Sequence, residues 1–224
     1  MRVLIAGVSG YIGRALCESL LGDAHEVVGL SRSPERTHAA QPRLLRVLRW
    51  TPVTEPVPAE AFDGIDVVVH LAGEGVAGRW NAAKKRRLYD SRVESTRALV
   101  VGMAAVADRP RVLVAGSAVG YYGERGDDEL IESESAGTDF LARLTADWEE
   151  AASRAEGLGV RVARTRTGLI IGHGSPFMRP MLPLFRLGLG GPIGSGRQWW
   201  PWCIWTMRWA CCGSRWSTRN HRRS

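Results

Sequence analysis

A chain of 224 residues with 45% hydrophobic side chains is long enough for one well-packed α/β domain with a small appendage. It is too apolar for a disordered chain, and it has no uninterrupted apolar run of the ~18–20 residues that a spanning helix needs. The net charge of +7 is uneven: residues 203–224 carry five Arg and no acid, leaving 25 basic and 23 acidic groups in the first 202 residues. Three of the four cysteines (Cys203, Cys211, Cys212) and six of the nine tryptophans also lie at this end, the tryptophans between Trp199 and Trp216. Lysine occurs only at Lys84 and Lys85, a skew toward Arg that suggests a GC-rich coding sequence. Met1-Arg2 leads straight into an apolar run, so a signal peptide is not expected and a cytoplasmic location is.

The elements follow in chain order. Met1–Gly7 (MRVLIAG) reads as a buried parallel strand. Tyr11–Leu21 has helical spacing, with Ile12, Ala15, Leu16, Ser19 and Leu20 on one side. Glu26–Leu30 and Leu44–Leu48 are the second and third strands, and Thr51–Pro58 is a Pro-rich loop. Asp66–Ala72 is a fourth strand, Lys84–Val101 a helix, Arg111–Gly116 a fifth strand and Thr138–Glu156 a helix with an acidic, Ala-rich face. Val160–Ile171 contains a sixth strand. Strands alternating with helices predict a doubly wound, Rossmann-like α/β domain on a parallel sheet, here expected to be incomplete at the C-terminus.

Gly7-Val8-Ser9-Gly10-Tyr11-Ile12-Gly13 joins the first strand to the first helix. Gly7 permits the tight turn, Gly10 lets the backbone approach a pyrophosphate, and Gly13 lets the helix pack close to the sheet. The helix N-terminus supplies free N–H groups and a positive dipole end. The bland alternative is that the glycines serve packing alone. An NAD binder carries an acid near the end of the second strand. Here that end reads Gly29-Leu30-Ser31-Arg32-Ser33, so Ser31 and Arg32 suit a 2′-phosphate and NADP is favoured over NAD.

These residues resemble the short-chain dehydrogenase/reductase superfamily in its extended, nucleotide-sugar-epimerase-like form. The resemblance rests on Gly7–Gly13, on Leu71-Ala72-Gly73-Glu74 after the fourth strand, and on Asp90-Ser91-Arg92-Val93. Gly116-Ser117-Ala118-Val119-Gly120-Tyr121-Tyr122-Gly123, Arg166-Thr167-Gly168 and Phe185–Gln198 narrow it to the atypical "epimerase family" oxidoreductases of undefined substrate. It covers residues 1–202. It implies cofactor contacts at Gly7–Gly13, Ser31, Arg32 and Leu71–Glu74, substrate contacts at Arg92 and Arg166, and a catalytic serine at Ser117.

The superfamily pairs its serine with a Tyr-x-x-x-Lys, whose cation brings the phenol into range near neutrality. No such pair exists here. Phe140 or Leu141 stands near the Tyr position and Leu144 or Thr145 near the Lys. Tyr121 or Tyr122, with Arg92 or Glu74 nearby, is the candidate acid/base; alternatively both rings pack against a ligand, and Glu74 and Arg92 pair locally. A non-catalytic NADP-binding sensor or scaffold is therefore the second reading, and a non-functional product the third.

The resemblance stops after Trp202, and the tail shows neither helical nor strand period. Adding one G after the Trp202 codon turns Trp202–Cys212 into Trp-Val-(His/Tyr)-(Leu/Met)-Asp, the type of segment the family would continue with. Residues 203–224 are therefore expected to be out of frame. Interleaved Arg and Trp also suit nucleic acid, but a small-molecule substrate is expected instead, with no nucleic-acid or membrane partner. The spacing of Cys203, Cys211 and Cys212 does not suit a zinc site. The expected organisation is an NADP-binding domain over 1–171, the start of a substrate region over 172–202 and the tail over 203–224.

Overall fold

The computed structural model describes residues 1–192 and 194–204. They fall into two compact units, one spanning Met1–Arg166 and the other beginning at Thr167. The expected out-of-frame tail lies outside the described residues except for Cys203 and Ile204.

The first unit is built on strands β1 (Arg2–Ala6), β2 (Glu26–Ser31), β3 (Arg46–Arg49), β4 (Val67–His70), β5 (Val112–Ala118) and β6 (Arg161–Thr167). They form one sheet in the order β3-β2-β1-β4-β5-β6, the doubly wound order of dinucleotide-binding folds. β1 pairs in parallel with β2 (Ile5 opposite Gly29) and with β4 (Ala6 opposite His70). β4 pairs in parallel with β5, His70 opposite Ala115. Both faces of the central strands are covered, which is why they read as continuous apolar runs. One core joins Leu4, Val28, Val68 and Leu113 to Phe62, Leu99, Met103 and Ala152.

The covering helices are α1 (Tyr11–Gly22), α2 (Pro34–Ala40), α3 (Ala82–Tyr89), α4 (Ser95–Ala104) and α5 (Phe140–Ser153). The buried stripe of α1 is Gly13, Leu16, Cys17 and Leu20. It is rotated from the expected face, leaving Ile12, Ala15 and Ser19 half-buried. Helix α2 is not anticipated by periodicity, because only Thr37 is buried on it. Its signal is Ser33 before Pro34, a capping residue followed by proline in the first turn. Strand β3 starts at Arg46 rather than Leu44, although Leu44 is buried.

The helix expected over Lys84–Val101 is two helices separated by a π-helical turn at Asp90–Glu94. The helix expected over Thr138–Glu156 ends earlier. Asp139 caps α5 by accepting from the Ala142 N–H at 2.9 Å, and a 3-10 turn at Arg154–Leu158 leads into Gly159 at φ +80°.

In the second unit, β7 (Leu169–Ile171) pairs in parallel with β8 (Trp202–Ile204), and α6 (Leu182–Arg186) lies between them in sequence. A Cβ on Gly168 would sit 2.4 Å from the Pro201 carbonyl oxygen, so only glycine admits this approach. Cys203 and Ile204 are strand residues, although the tail from residue 203 is expected to show neither helical nor strand period. No helix among the described residues is long and apolar enough to cross a membrane.

Candidate functional site

Two clusters lie at the carboxyl ends of the sheet strands. The first is the β1–α1 turn. Gly7 has φ +90°, and a Cβ there would meet the Ala72 nitrogen and the Leu71 carbonyl carbon at 2.8 Å. The loop therefore lies against the segment that follows β4, through backbone alone. Gly10 donates its N–H to the Gly7 carbonyl at 3.0 Å and is the N-cap of α1, with no side chain capping the helix. A Cβ on Gly13 would lie 2.2 Å from the Gly7 oxygen. Ser9 and Gly10 are exposed, while Tyr11 and Ile12 are half-buried. The result is a shallow cradle of backbone in front of an uncapped helix N-terminus, which suits an anion.

At the end of β2 the two expected phosphate contacts separate. The Ser31 hydroxyl is buried, bonded to Thr37 Oγ1 at 2.7 Å, and accepts from the Ser33 N–H at 3.1 Å. It ties β2 to α2. Arg32 is exposed and, among the described residues, is free of hydrogen-bond or ion-pair partners.

After β4, Leu71 and Ala72 are half-buried beside Gly7. The π turn clamps the next residues. Glu74 donates its N–H to Ser91 Oγ at 2.9 Å, and its carbonyl accepts from Arg92 Nη2 at 2.9 Å. A Cβ on Gly73 would touch the Arg92 guanidinium at 3.3 Å. The Glu74 carboxylate pairs with Lys84 Nζ at 2.9 Å and Arg87 Nε at 3.5 Å. The Lys84 hydrogen bond is the main reason that carboxyl is held below its ordinary value. Arg92 also lies over the Trp148 ring at 5.5 Å. Burial lowers its pKa, opposed by Glu74. Arg92 and Glu74 are thus engaged with each other's surroundings rather than with the tyrosine pair, as the local-pairing alternative expected.

The second cluster is at the end of β5. Ser117, 6% exposed, donates its hydroxyl proton to Glu149 Oε1 at 2.5 Å. Arg166, from β6, donates Nε to the same oxygen and Nη2 to Oε2, both at 2.8 Å. Arg166 Nη1 donates to the Tyr122 hydroxyl at 3.0 Å and to the Glu132 carbonyl at 2.9 Å. The guanidinium carbon lies 3.5 Å from the Tyr121 ring centroid, a stacked cation–π contact. Burial pushes Glu149 up, but hydrogen bonds from Arg166 and Ser117 outweigh it and hold the carboxyl below its ordinary value. The Glu149 hydrogen bond in turn raises Arg166 above the usual guanidinium value.

The structure thus joins Ser117, Tyr121, Tyr122 and Arg166 in one cluster and keeps Arg92 and Glu74 in another. Four of the Arg166 N–H groups are engaged within the protein, so the arginine ties the members of the cluster together. Glu149 is missed by the sequence reading, which gives this helix an acidic, Ala-rich face without singling out any of its acids. The available signal is its spacing: Ala142, Thr145, Glu149 and Ala152 follow the buried stripe of α5.

His70 is also missed. It is fully buried at the end of β4, with Nε2 3.0 Å from Ser95 Oγ and no partner for Nδ1. Burial, with Arg92 nearby, lowers its pKa to about 4. Ser95 itself donates into the π turn, to the Ser91 or Arg92 carbonyl.

The model of the NAD dependent epimerase/dehydratase family matches residues 3–204. The epimerase family protein Mb2239 of Mycobacterium bovis is 41% identical over 202 residues, covering 89% of this chain and 64% of that protein. The human epimerase family protein SDR39U1 is 35% identical over 206 residues, covering 90% of this chain and 66% of its own length. The chain therefore spans about two thirds of the length of these relatives. A crystal structure of human SDR39U1 (isoform 2) with NADPH superposes with a TM-score of 0.78 at 34% identity, covering 92% of this chain and 66% of that one. MoeE5 in complex with UDP-glucose and NAD, at 20% identity, shares the fold with a TM-score of 0.82. With the six-stranded order, the glycine turn and a family match running from the first strand to the last, this chain belongs to the NAD-dependent epimerase/dehydratase family.

Proposed function

We propose that the chain binds NADP(H) and serves as an epimerase/dehydratase-like oxidoreductase acting on a small molecule in the cytoplasm, without nucleic-acid or membrane partners. The observation that carries this reading is the backbone cradle at Gly7–Gly13 beside an acid-free end of β2 that exposes Arg32. Gly7 and Gly13 let the turn pack against the Leu71-Ala72 backbone and against the start of α1, which leaves the exposed Ser9 and Gly10 at the uncapped helix N-terminus. The NADPH-bound structure of human SDR39U1 supports the same cofactor class.

In this reading the uncapped N-terminus of α1 holds the pyrophosphate and Arg32 the 2′-phosphate. Leu71, Ala72 and the clamped Gly73-Glu74 backbone border the cradle. When bound, the dinucleotide supplies hydride exchange. Ser117 and Tyr122 are the hydroxyl groups at the end of β5, and Arg166 fixes the Tyr122 oxygen.

The test is NADPH oxidation over a panel of carbonyl compounds and sugar nucleotides. Turnover that falls at least tenfold in Ser117→Ala or Tyr122→Phe supports the proposal. A second reading, a non-catalytic NADP sensor, is favoured by Phe140, Leu141, Leu144 and Thr145 at the positions where the superfamily carries its Tyr and Lys. NADPH binding without turnover on any substrate would support it.

We also infer that residues 203–224 are read out of frame. The family match ending at residue 204 agrees with this. Resequencing the locus tests it: an intact frame with no missing base contradicts it.

A further inference from the structure

The β5 cluster contains an acid that the family's usual serine, tyrosine and lysine do not explain. Glu149 and Arg166 are both withdrawn from water, with side-chain exposures of 8% and 18%. Such a pair gains little for the fold, because well-packed apolar residues of similar volume are generally as stable. What the pair does add is a fixed direction for one proton. An ionised carboxylate accepts hydrogen bonds and donates none. The Ser117 hydroxyl has a single proton, and it is directed at Glu149 Oε1. The serine oxygen therefore retains only lone pairs for any further partner. Tyr122 is the converse: its oxygen accepts from Arg166 Nη1, so its own proton remains to be donated.

We propose that Glu149 is a positioning residue of this site: held by Arg166, it draws the Ser117 proton inward and leaves the serine oxygen as an acceptor for a ligand hydroxyl rather than a donor to a ligand carbonyl. This deepens the oxidoreductase reading and rests on it for the presence of a ligand. The charged and titratable groups of the cluster that holds residue 117 are Glu149 from α5, Arg166 from β6, and Tyr121 and Tyr122 from the turn after β5. Arg164, also from β6, acts on Glu149 at longer range.

A thiol at position 117 reports where the proton lies. Ser117→Cys is titrated by ultraviolet thiolate absorbance, in the Glu149, Glu149→Asp and Glu149→Gln backgrounds. Each spectrum is taken as a difference from the same background with Ser117, which removes the natural cysteines. With Glu149 in place the midpoint is expected above the ordinary thiol value of about 8.5. With Glu149→Gln the unopposed Arg166 cation lowers it, giving at least about tenfold more thiolate at fixed pH. Glu149→Asp, with its shorter reach, is expected between the two. If Glu149→Gln does not fold, a lowered midpoint in Glu149→Asp still supports the proposal. An unchanged midpoint in every folded background overturns it. The titration needs no cofactor, so NADPH binding measured on the same proteins is a separate result. A lowered midpoint without NADPH binding removes the oxidoreductase reading but leaves the proton placement. NADPH binding with an unchanged midpoint removes the role of Glu149 alone.

Discussion

The glycine cradle after β1 and the acid–arginine cluster after β5 occupy the same edge of one sheet and are built by opposite means. The cradle consists of backbone, and its close packing depends on side chains being absent at Gly7 and Gly13. The cluster consists of side chains from four separate segments, at Ser117, Tyr122, Glu149 and Arg166. A backbone cradle tolerates change nearby but not an added methyl. A side-chain cluster tolerates little loss, because each member is another member's partner. Substitutions at the two places should therefore fail differently.

The largest effect is expected from Glu149→Ala. It leaves Arg166 without its carboxylate and Ser117 without its acceptor, at a cost of about 3–4 kcal/mol in denaturant unfolding. A loss below about 1 kcal/mol would show that the cluster is not a mutual network. Gly13→Ala follows. Its Cβ would fall 2.2 Å from the Gly7 oxygen, so α1 must move away from the turn, at about 3 kcal/mol. NADPH affinity should fall with it, whereas Glu149→Ala should leave affinity within about tenfold. Equal loss of affinity in both variants would merge the two regions into one.

The third effect concerns pH. His70 has a folded pKa of about 4 against an ordinary 6.5, so the unfolded chain takes up the proton first. Stability is complete above pH 6.5 and falls between 6.5 and 4, by about 3 kcal/mol in all. Glu149 has the same sign in a lower window. Its carboxyl is depressed below the ordinary 4.5, so its contribution is present above that value and is lost as pH falls through the folded pKa. His70→Gln should flatten the upper window and leave the lower one. Urea melts across this range separate the two, and an unchanged upper slope in His70→Gln would remove His70 from the account.

Arg32→Ala is expected to weaken NADPH binding by about 2 kcal/mol, the worth of a charge-assisted phosphate contact, and NADH binding hardly at all. The smallest effect is at Lys84→Met. It removes the Glu74 ion pair at a half-exposed carboxylate, for about 1 kcal/mol or less in thermal unfolding.

The two regions also differ in how far they are legible in sequence. The cradle is local: a glycine triplet between an apolar strand and a helix states its geometry within seven residues. The sheet is legible for a related reason, since strands buried on both faces leave unbroken apolar runs. The β5 cluster is legible only in part. Ser117, Tyr121 and Tyr122 share one motif, and Arg166 lies in another. Glu149 is hidden among the acids of an amphipathic helix, where residue type suggests solvent and only the 142-145-149-152 spacing marks burial. The bond from Ser31 to Thr37 is hidden too, because Thr37 sits on a short polar helix with almost no apolar face. The π turn leaves no periodic trace either. It adds one residue to a helical turn and so presents Ser91 and Arg92 to Glu74 where an uninterrupted helix is expected.

The central claim is that the backbone cradle and Arg32 together select a phosphorylated nicotinamide dinucleotide. Parallel fluorescence titrations of the chain with NADPH and NADH test it most directly. The account predicts NADPH binding at least about tenfold tighter than NADH, with the difference removed by Arg32→Ala. Equal affinities for the two dinucleotides, or binding of neither, would contradict it.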